Sequence, residues 1–412
     1  MAEPLRYAGF NPESAPVLLL LRLDRFVFAR LLLAVLVAVA LGWLDAAQRA
    51  PAPVAAQAVV SVAAPTPAAQ SLQRLDGGAI PMPAGMAAAH ASSLLAMPAG
   101  SAAALSIFWF SGDRESGPNV QIAASQFDRA TQQWLQPRFV VNRHVLGQQL
   151  GFGVRRLGNP VAWLDASGRI NLFVVATGGG GWAASRIVHL RQSSQGNALQ
   201  ELAFAPVRVL PLSWLWNTSF LVRNAPLLLA DGGMVLPVHF ELGIKYPGAV
   251  RFDKDGAFMG LVRVSARPYM LQPTLLVQSP NAWLALMRDG RPHGKVTVAR
   301  TQDGGLHWTD LPDLPLDNPD AAVAGFNLAP GQLLLAHNSS PASRATLDLS
   351  SSANGRDWSL VHTLAHGNEL DEFSYPAMAW ADGALWISYT VDRARIDWQR
   401  FGAAPSTSGG TP

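Results

Sequence analysis

The chain of 412 residues contains no cysteine, which excludes disulfide scaffolds, thiolate metal sites and cysteine nucleophiles together. Lysine is nearly absent as well: Lys245, Lys254 and Lys295 stand against 28 arginines. Charged residues are 14% of the total and balance to +3, too little for the electrostatic footprint of a nucleic-acid binder. The nine histidines form no HExxH or other ligand spacing, so no metal centre is expected. There is no Gly-x-Ser-x-Gly elbow for a serine hydrolase. The glycine run Gly178–Gly181 lacks the Lys-Ser/Thr tail of a phosphate loop and reads instead as a loop presenting Trp182 to a sugar face. No cofactor is called for.

Long apolar runs are scarce, with one exception. Residues 26–44 read FVFARLLLAVLVAVALGWL, the length of a bilayer-spanning helix, with Arg22, Arg25 and Arg30 toward its N-terminal side. That bias predicts residues 1–25 in the cytoplasm, a signal anchor over 26–45, and everything after it outside. A cleaved signal peptide is the alternative, with Ala46-Ala47 as the small residues near the cut. Residues 46–87 are rich in Ala, Pro, Val and Gln and read as an extended tether.

From residue 88 to 402 the texture changes to short apolar runs: LSIFWF, INLFVVAT, MVLPVHF, WLALMR, QLLLAHN and ALWISYT. Glycine turns such as Asp231-Gly232-Gly233, Lys254-Asp255-Gly256, Asn354-Gly355 and Asp382-Gly383 separate them. No helical period competes, so the region is expected to be all-β. Its many short strands are too numerous for one sandwich and suggest radial repetition, a β-propeller. Residues 403–412 read as a disordered tail.

Two segments share a local frame. Thr301-Gln302-Asp303-Gly304-Gly305-Leu306-His307-Trp308 fits Ser/Thr-x-Asp-x-Gly-x-x-Trp throughout, and Ser351 to Trp358 fits it with Ala353 in place of the aspartate. A fainter cousin ends at Trp134. These resemble the Asp-box, a structural hairpin turn whose aspartate caps backbone amides, so Asp303 is not read as a catalytic group. With the ordered segments FWFSGDRESGPNVQI, GNPVAWLDASGRINLF, NAPLLLADGGMVLPVHFE, LQPTLLVQSPNAWLALMRDG, DNPDA, LLLAHNSSPASRATLDLS and EFSYPAMAWADGALWISYTVDRARI, the chain resembles the sialidase superfamily, in particular its bacterial Asp-box branch.

That resemblance implies a six-bladed propeller acting on glycans that carry sialic acid or a related acidic sugar; with the apolar run at residues 26–44, the expected place is the bacterial cell (inner) membrane, with the propeller on the periplasmic or extracellular side. The resemblance also implies three arginines on the sugar carboxylate, a tyrosine nucleophile helped by a glutamate, and an aspartic acid that protonates the leaving group. Arg288 and Arg344 match two of the arginines. The third position holds His90, with Arg114 as a substitute; Asp113 matches the acid, with Glu115 as the alternative. Tyr375 matches the nucleophile and Tyr389 is its rival. The glutamate slot holds Gln272, which cannot act as a base, so Glu241 or Glu372 is expected to serve. A glycan-binding propeller without catalysis is the second reading.

Overall fold

The structure is a computed structural model that describes residues 25–48, 55–59, 67–213 and 216–403. Two units are distinct, residues 1–48 and 49–412. In the first, Arg25–Gln48 is one helix, long and apolar enough to cross a membrane. The expected N-terminal segment before residue 25 and the tail beyond 403 lie outside the described residues.

The second unit is a six-bladed β-propeller of antiparallel sheets. Blade 1 is built on Ala88–Ala96, Ala103–Gly112 and Gln121–Asp128, and blade 2 on Arg156–Leu164, Ile170–Thr177, Ser185–Gln192 and Phe204–Val209. Blade 3 comprises Phe220–Val222, Met234–Phe240, Tyr246–Phe252 and Phe258–Arg263. Blade 4 comprises Met270–Val277, Trp283–Asp289, Thr297–Thr301 and Thr309–Leu311. Blade 5 has Ala324–Ala329, Gln332–Asn338, Thr346–Ser352 and Ser359–His366. Blade 6 has Phe373–Ala381, Ala384–Val391 and Arg395–Ala403, and its outer strand, Leu72–Ala79, comes from the N-terminal side of the ring.

Six hydrophobic clusters fill the six interfaces between neighbouring blades, closing the ring without a free sheet face. This explains the apolar runs in the sequence. All six are the second strands of successive blades, covered on both faces by neighbours, so they read as continuous rather than alternating hydrophobics.

The tether expected over residues 46–87 is corrected at its C-terminal end, because Leu72–Ala79 is a strand of blade 6. Part of what precedes it also packs on the ring. Ala58 N–H donates to Pro280 O at 2.8 Å, and Gln57 O accepts from Ala230 N–H at 2.8 Å. Gly304 makes room for this strap: a Cβ there would lie 2.3 Å from Ala56 O.

The Asp-box turns have the geometry their frame implies. Asp303 Oδ1 accepts from the amides of Leu306 and His307 at 3.1 and 3.0 Å, and Trp308 Nε1 donates to Gly305 O. The second box is one residue shorter than the sequence frame: Asn354 Oδ1, rather than position 353, caps the amides of Arg356 and Asp357 at 2.8 and 2.9 Å. Ser352 there takes the place of Thr301. Trp182 is not presented on a free loop. It packs into the core between blades 2 and 3, and its ring lies where a Cβ on Gly158 would come within 3.0 Å.

Candidate functional site

The innermost strands of four blades carry the same distortion. Blade 1 bulges between His90 and Ser93, blade 2 between Gly158 and Val161, blade 4 between Leu271 and Thr274, and blade 6 between Ser374 and Ala377. In each bulge one non-glycine residue has a positive φ: Ala91 at 54°, Asn159 at 42°, Gln272 at 48° and Tyr375 at 54°. Three of them precede proline, an arrangement that costs conformational energy and persists only where surrounding contacts hold it. Bulges of this kind re-aim side chains, and two of these residues, Gln272 and Tyr375, meet.

Gln272 Nε2 lies 3.3 Å from Tyr375 Oη, and Arg288 Nη1 reaches Tyr375 Oη at 3.4 Å and Gln272 Oε1 at 3.2 Å. Arg288, at the end of its strand, also donates from Nε to Asp320 Oδ1 at 2.6 Å. Arg344 Nη2 bonds the backbone oxygen of the same Asp320 at 2.5 Å, so one residue joins the two arginines. Arg344 Nη1 then donates to Glu372 Oε1 at 2.9 Å, and Glu372 Oε2 accepts from Arg393 Nε at 2.9 Å. Arg393 closes the chain on Glu115. His90 packs against the Tyr375 ring at a tilt of 53°, centroids 4.2 Å apart.

The cluster sets three arginines against the carboxylates of Asp320, Glu372 and Glu115 and is partly dry. Burial pushes His90 down to about 3, with Arg393, Arg223 and Arg344 adding to the fall and Glu372 opposing it, so His90 is neutral near pH 7. It cannot replace an arginine as a permanent charge. Burial on its own would raise Glu372, but bonds from Arg393, the charge of Arg344 and the Ser374 hydroxyl bring it to about 2. Glu241 is different: burial raises it, against Arg288 and Lys245, and so favours its protonated form.

Of the sequence-predicted residues, Arg288, Gln272, Tyr375, His90 and Arg344 share this end of the ring, and Glu241 directly follows the second strand of blade 3 at the same end. Asp113 and Arg114 are exposed in the blade 1 loop, and neither side chain bonds to the cluster; Glu115 is the residue of that loop that does. Tyr389 is buried between blades 5 and 6, where its hydroxyl accepts from Gln399 Nε2 at 3.0 Å, and burial raises its pKa. Arg393, Asp320 and Arg223 escaped sequence reasoning. A signal was present for the bulges themselves, since Asn159-Pro160, Gln272-Pro273 and Tyr375-Pro376 open equivalent strands. Among the described residues no group of histidine and acidic side chains is arranged to hold a metal ion.

Fold and site together define a sialidase-like propeller with an arginine-and-tyrosine centre. The family model for the BNR repeat-like domain matches residues 103–387, and the chain belongs to that family. Among solved structures it is similar to a Hadza microbial sialidase, at 16% identity and a TM-score of 0.59, covering 76% of this chain and 65% of that one. It is also similar to the Trypanosoma rangeli sialidase in complex with the inhibitor DANA, at 10% identity and a TM-score of 0.61, covering 80% and 59% of the two chains. A protein of unknown function from Dyadobacter fermentans matches over its whole length, at 11% identity, a TM-score of 0.62 and 81% of this chain. The chain thus spans less than two thirds of either sialidase. No curated protein sequence matches it.

Proposed function

We propose that this chain is an exported, membrane-tethered glycoside hydrolase of sialidase type that removes a terminal sialic acid or related acidic sugar from glycans. The observation that carries the reading is the contact of Tyr375 Oη with Arg288 Nη1 at 3.4 Å, beside a second arginine joined through Asp320. The sugar carboxylate would take the guanidinium groups of Arg288 and Arg344, with Arg393 in the third position. Tyr375 Oη would attack the anomeric carbon as the glycosidic bond breaks, its phenolic proton passing to water because Gln272 accepts none; water then opens the tyrosyl-sugar intermediate, its hydroxyl going to the sugar and a proton returning to Tyr375. A neutral phenol suits this centre because the neighbouring carboxylate repels an anionic nucleophile. Glu241, which follows the second strand of blade 3 at this end of the ring and whose pKa burial raises, would give the leaving oxygen its proton, ahead of Asp113 on its exposed loop.

One observation favours the second reading, a non-catalytic binder of acidic glycans. The side chain directly on Tyr375 Oη is Gln272, which holds the hydroxyl but takes no proton from it. Turnover of a fluorogenic sialoside separates the two. Under the hydrolase reading, Tyr375→Phe abolishes turnover while a sialic-acid analogue still binds. Arg288→Lys weakens binding about ten- to a hundredfold, because lysine lacks the bidentate fork. A wild-type chain that binds the analogue without turnover establishes the binder, and one that does neither overturns both readings.

The helix Arg25–Gln48 and the arginines before its apolar run support a single-pass anchor with the propeller outside the cytoplasm, in a bacterial cell membrane. Alkaline carbonate is then expected to leave the full-length chain in the membrane pellet. A soluble mature chain starting near Gln48 would instead mean a cleaved signal.

A further inference from the structure

Arg223 is 2% exposed and has no carboxylate partner among the described residues. A guanidinium in that position is costly to bury, and the burial lowers its pKa to about 10, which leaves it charged at neutral pH. Its contacts show what it holds. Nη1 donates to Ser92 O at 3.1 Å and Nη2 to Pro376 O at 2.7 Å. Each of these carbonyls belongs to the residue immediately after a positive-φ residue, Ala91 in blade 1 and Tyr375 in blade 6. The guanidinium carbon also lies 5.0 Å from the Tyr375 ring centroid. The next residue repeats the pattern: Asn224 Nδ2 donates to Gln272 O and Pro273 O at 2.9 and 3.0 Å, across the bulge of blade 4. One dipeptide of blade 3 therefore bonds the backbone of three bulges contributed by other blades.

We propose that Arg223 is a positioning residue for Tyr375: from blade 3 it fixes the bulge that aims the tyrosine into the site and supports the ring from beneath. The planar fork matters here, because it bonds two carbonyls and faces an aromatic ring at once, whereas lysine offers a single ammonium. The inference deepens the reading of Tyr375 as the reacting group, but the placement of the ring can be tested without catalysis.

Full-length protein carrying 3-fluorotyrosine gives one fluorine resonance for each of its five tyrosines, and Tyr375→Phe assigns the one of interest. In Arg223→Gln that resonance is expected to shift or broaden while those of Tyr246, Tyr269 and Tyr389 stay in place. Sialoside turnover should fall about ten- to a hundredfold in kcat, with KM and analogue affinity changed less than about threefold. Arg223→Lys should show the same pattern to a smaller degree. If Arg223→Gln does not fold, Arg223→Lys carries the test, and failure of both to fold would replace this local role with a ring-wide one and overturn the proposal. An unmoved Tyr375 resonance in a folded variant overturns it too. A wild type without turnover defeats the hydrolase reading alone, and the fluorine spectrum still decides on Arg223.

Discussion

A chain that begins at Ile80 is expected not to yield a stable propeller, whereas one that begins at Arg49 folds. The difference is the strand Leu72–Ala79, which makes seven registered pairs with Arg395–Ala403. Leu72 is 2% exposed, and Asp76 accepts two bonds from Arg400, at 3.0 and 2.6 Å. Arg400 also lies over the Trp386 ring at 5.1 Å, so the loss would reach the interface between blades 6 and 1. Burying a leucine side chain is worth about 1.5 to 3 kcal/mol, and each backbone hydrogen bond about 0.5 to 1.5. The half-exposed ion pair adds little. The sum passes about 5 kcal/mol, the lower end of a whole domain's stability, and leaves Arg395–Ala403 as an open edge prone to aggregation. Urea denaturation and soluble yield of the two truncated chains measure this. Equal midpoints would show that the closing strand is dispensable.

Acid should destabilise the propeller well above the pH at which its carboxylates titrate. His90, His189 and His239 are each held down to about 3 by burial, and His337 is lowered as well. His239 has neither ring nitrogen bonded. A histidine titrates near 6.5 when unfolded, so below that pH the unfolded chain takes up protons that the folded one refuses. Folded values lie below unfolded ones, hence their contribution is fully present above about pH 6.5 and is lost as pH falls toward 3. Each of the three costs about 2 kcal/mol between pH 7 and 5, or about 6 together, comparable to total stability. The depressed Glu372 acts in the same direction, but only below its unfolded value near 4.3. Urea midpoints at pH 7, 6 and 5 should fall steeply, and His239→Met should flatten the fall by about a third. A pH-independent midpoint over that range would refute the argument.

The strands that could be read from the sequence were those shielded on both faces. LSIFWF and ALWISYT have no polar alternation because neighbouring blades cover them completely. The outer strands are mostly half-exposed or exposed, as in Thr309–Leu311 and Ser359–His366, and carry little pattern of their own. Leu72–Ala79 was hidden for a further reason: its partner is Arg395–Ala403, more than 300 residues away, while LQRLDGGA has no apolar run of its own and leaves only Leu72 buried. In the site, Arg288, Arg344 and Tyr375 could be found because each sits beside a recognisable strand. Arg393 was missed because its role depends on Glu372 and Glu115, contributed from two separate connections. Arg223 left no trace in any local pattern, since its partners lie on blades 1 and 6.

The two ends of the ring bear different loads. The Asp-box turns and the strap around Gln57 lie at the end where first strands turn into second strands. Arg288, Arg344, Arg393 and Tyr375 all lie at the other, in the connections from second to third strands or at the starts of first strands. Substitutions that alter the mouth therefore leave the capped turns untouched, and those that reinforce the turns leave the mouth untouched. Such a molecule can drift in ligand preference at little risk to its architecture, which makes the upper connections the place where lineages of this propeller can diverge.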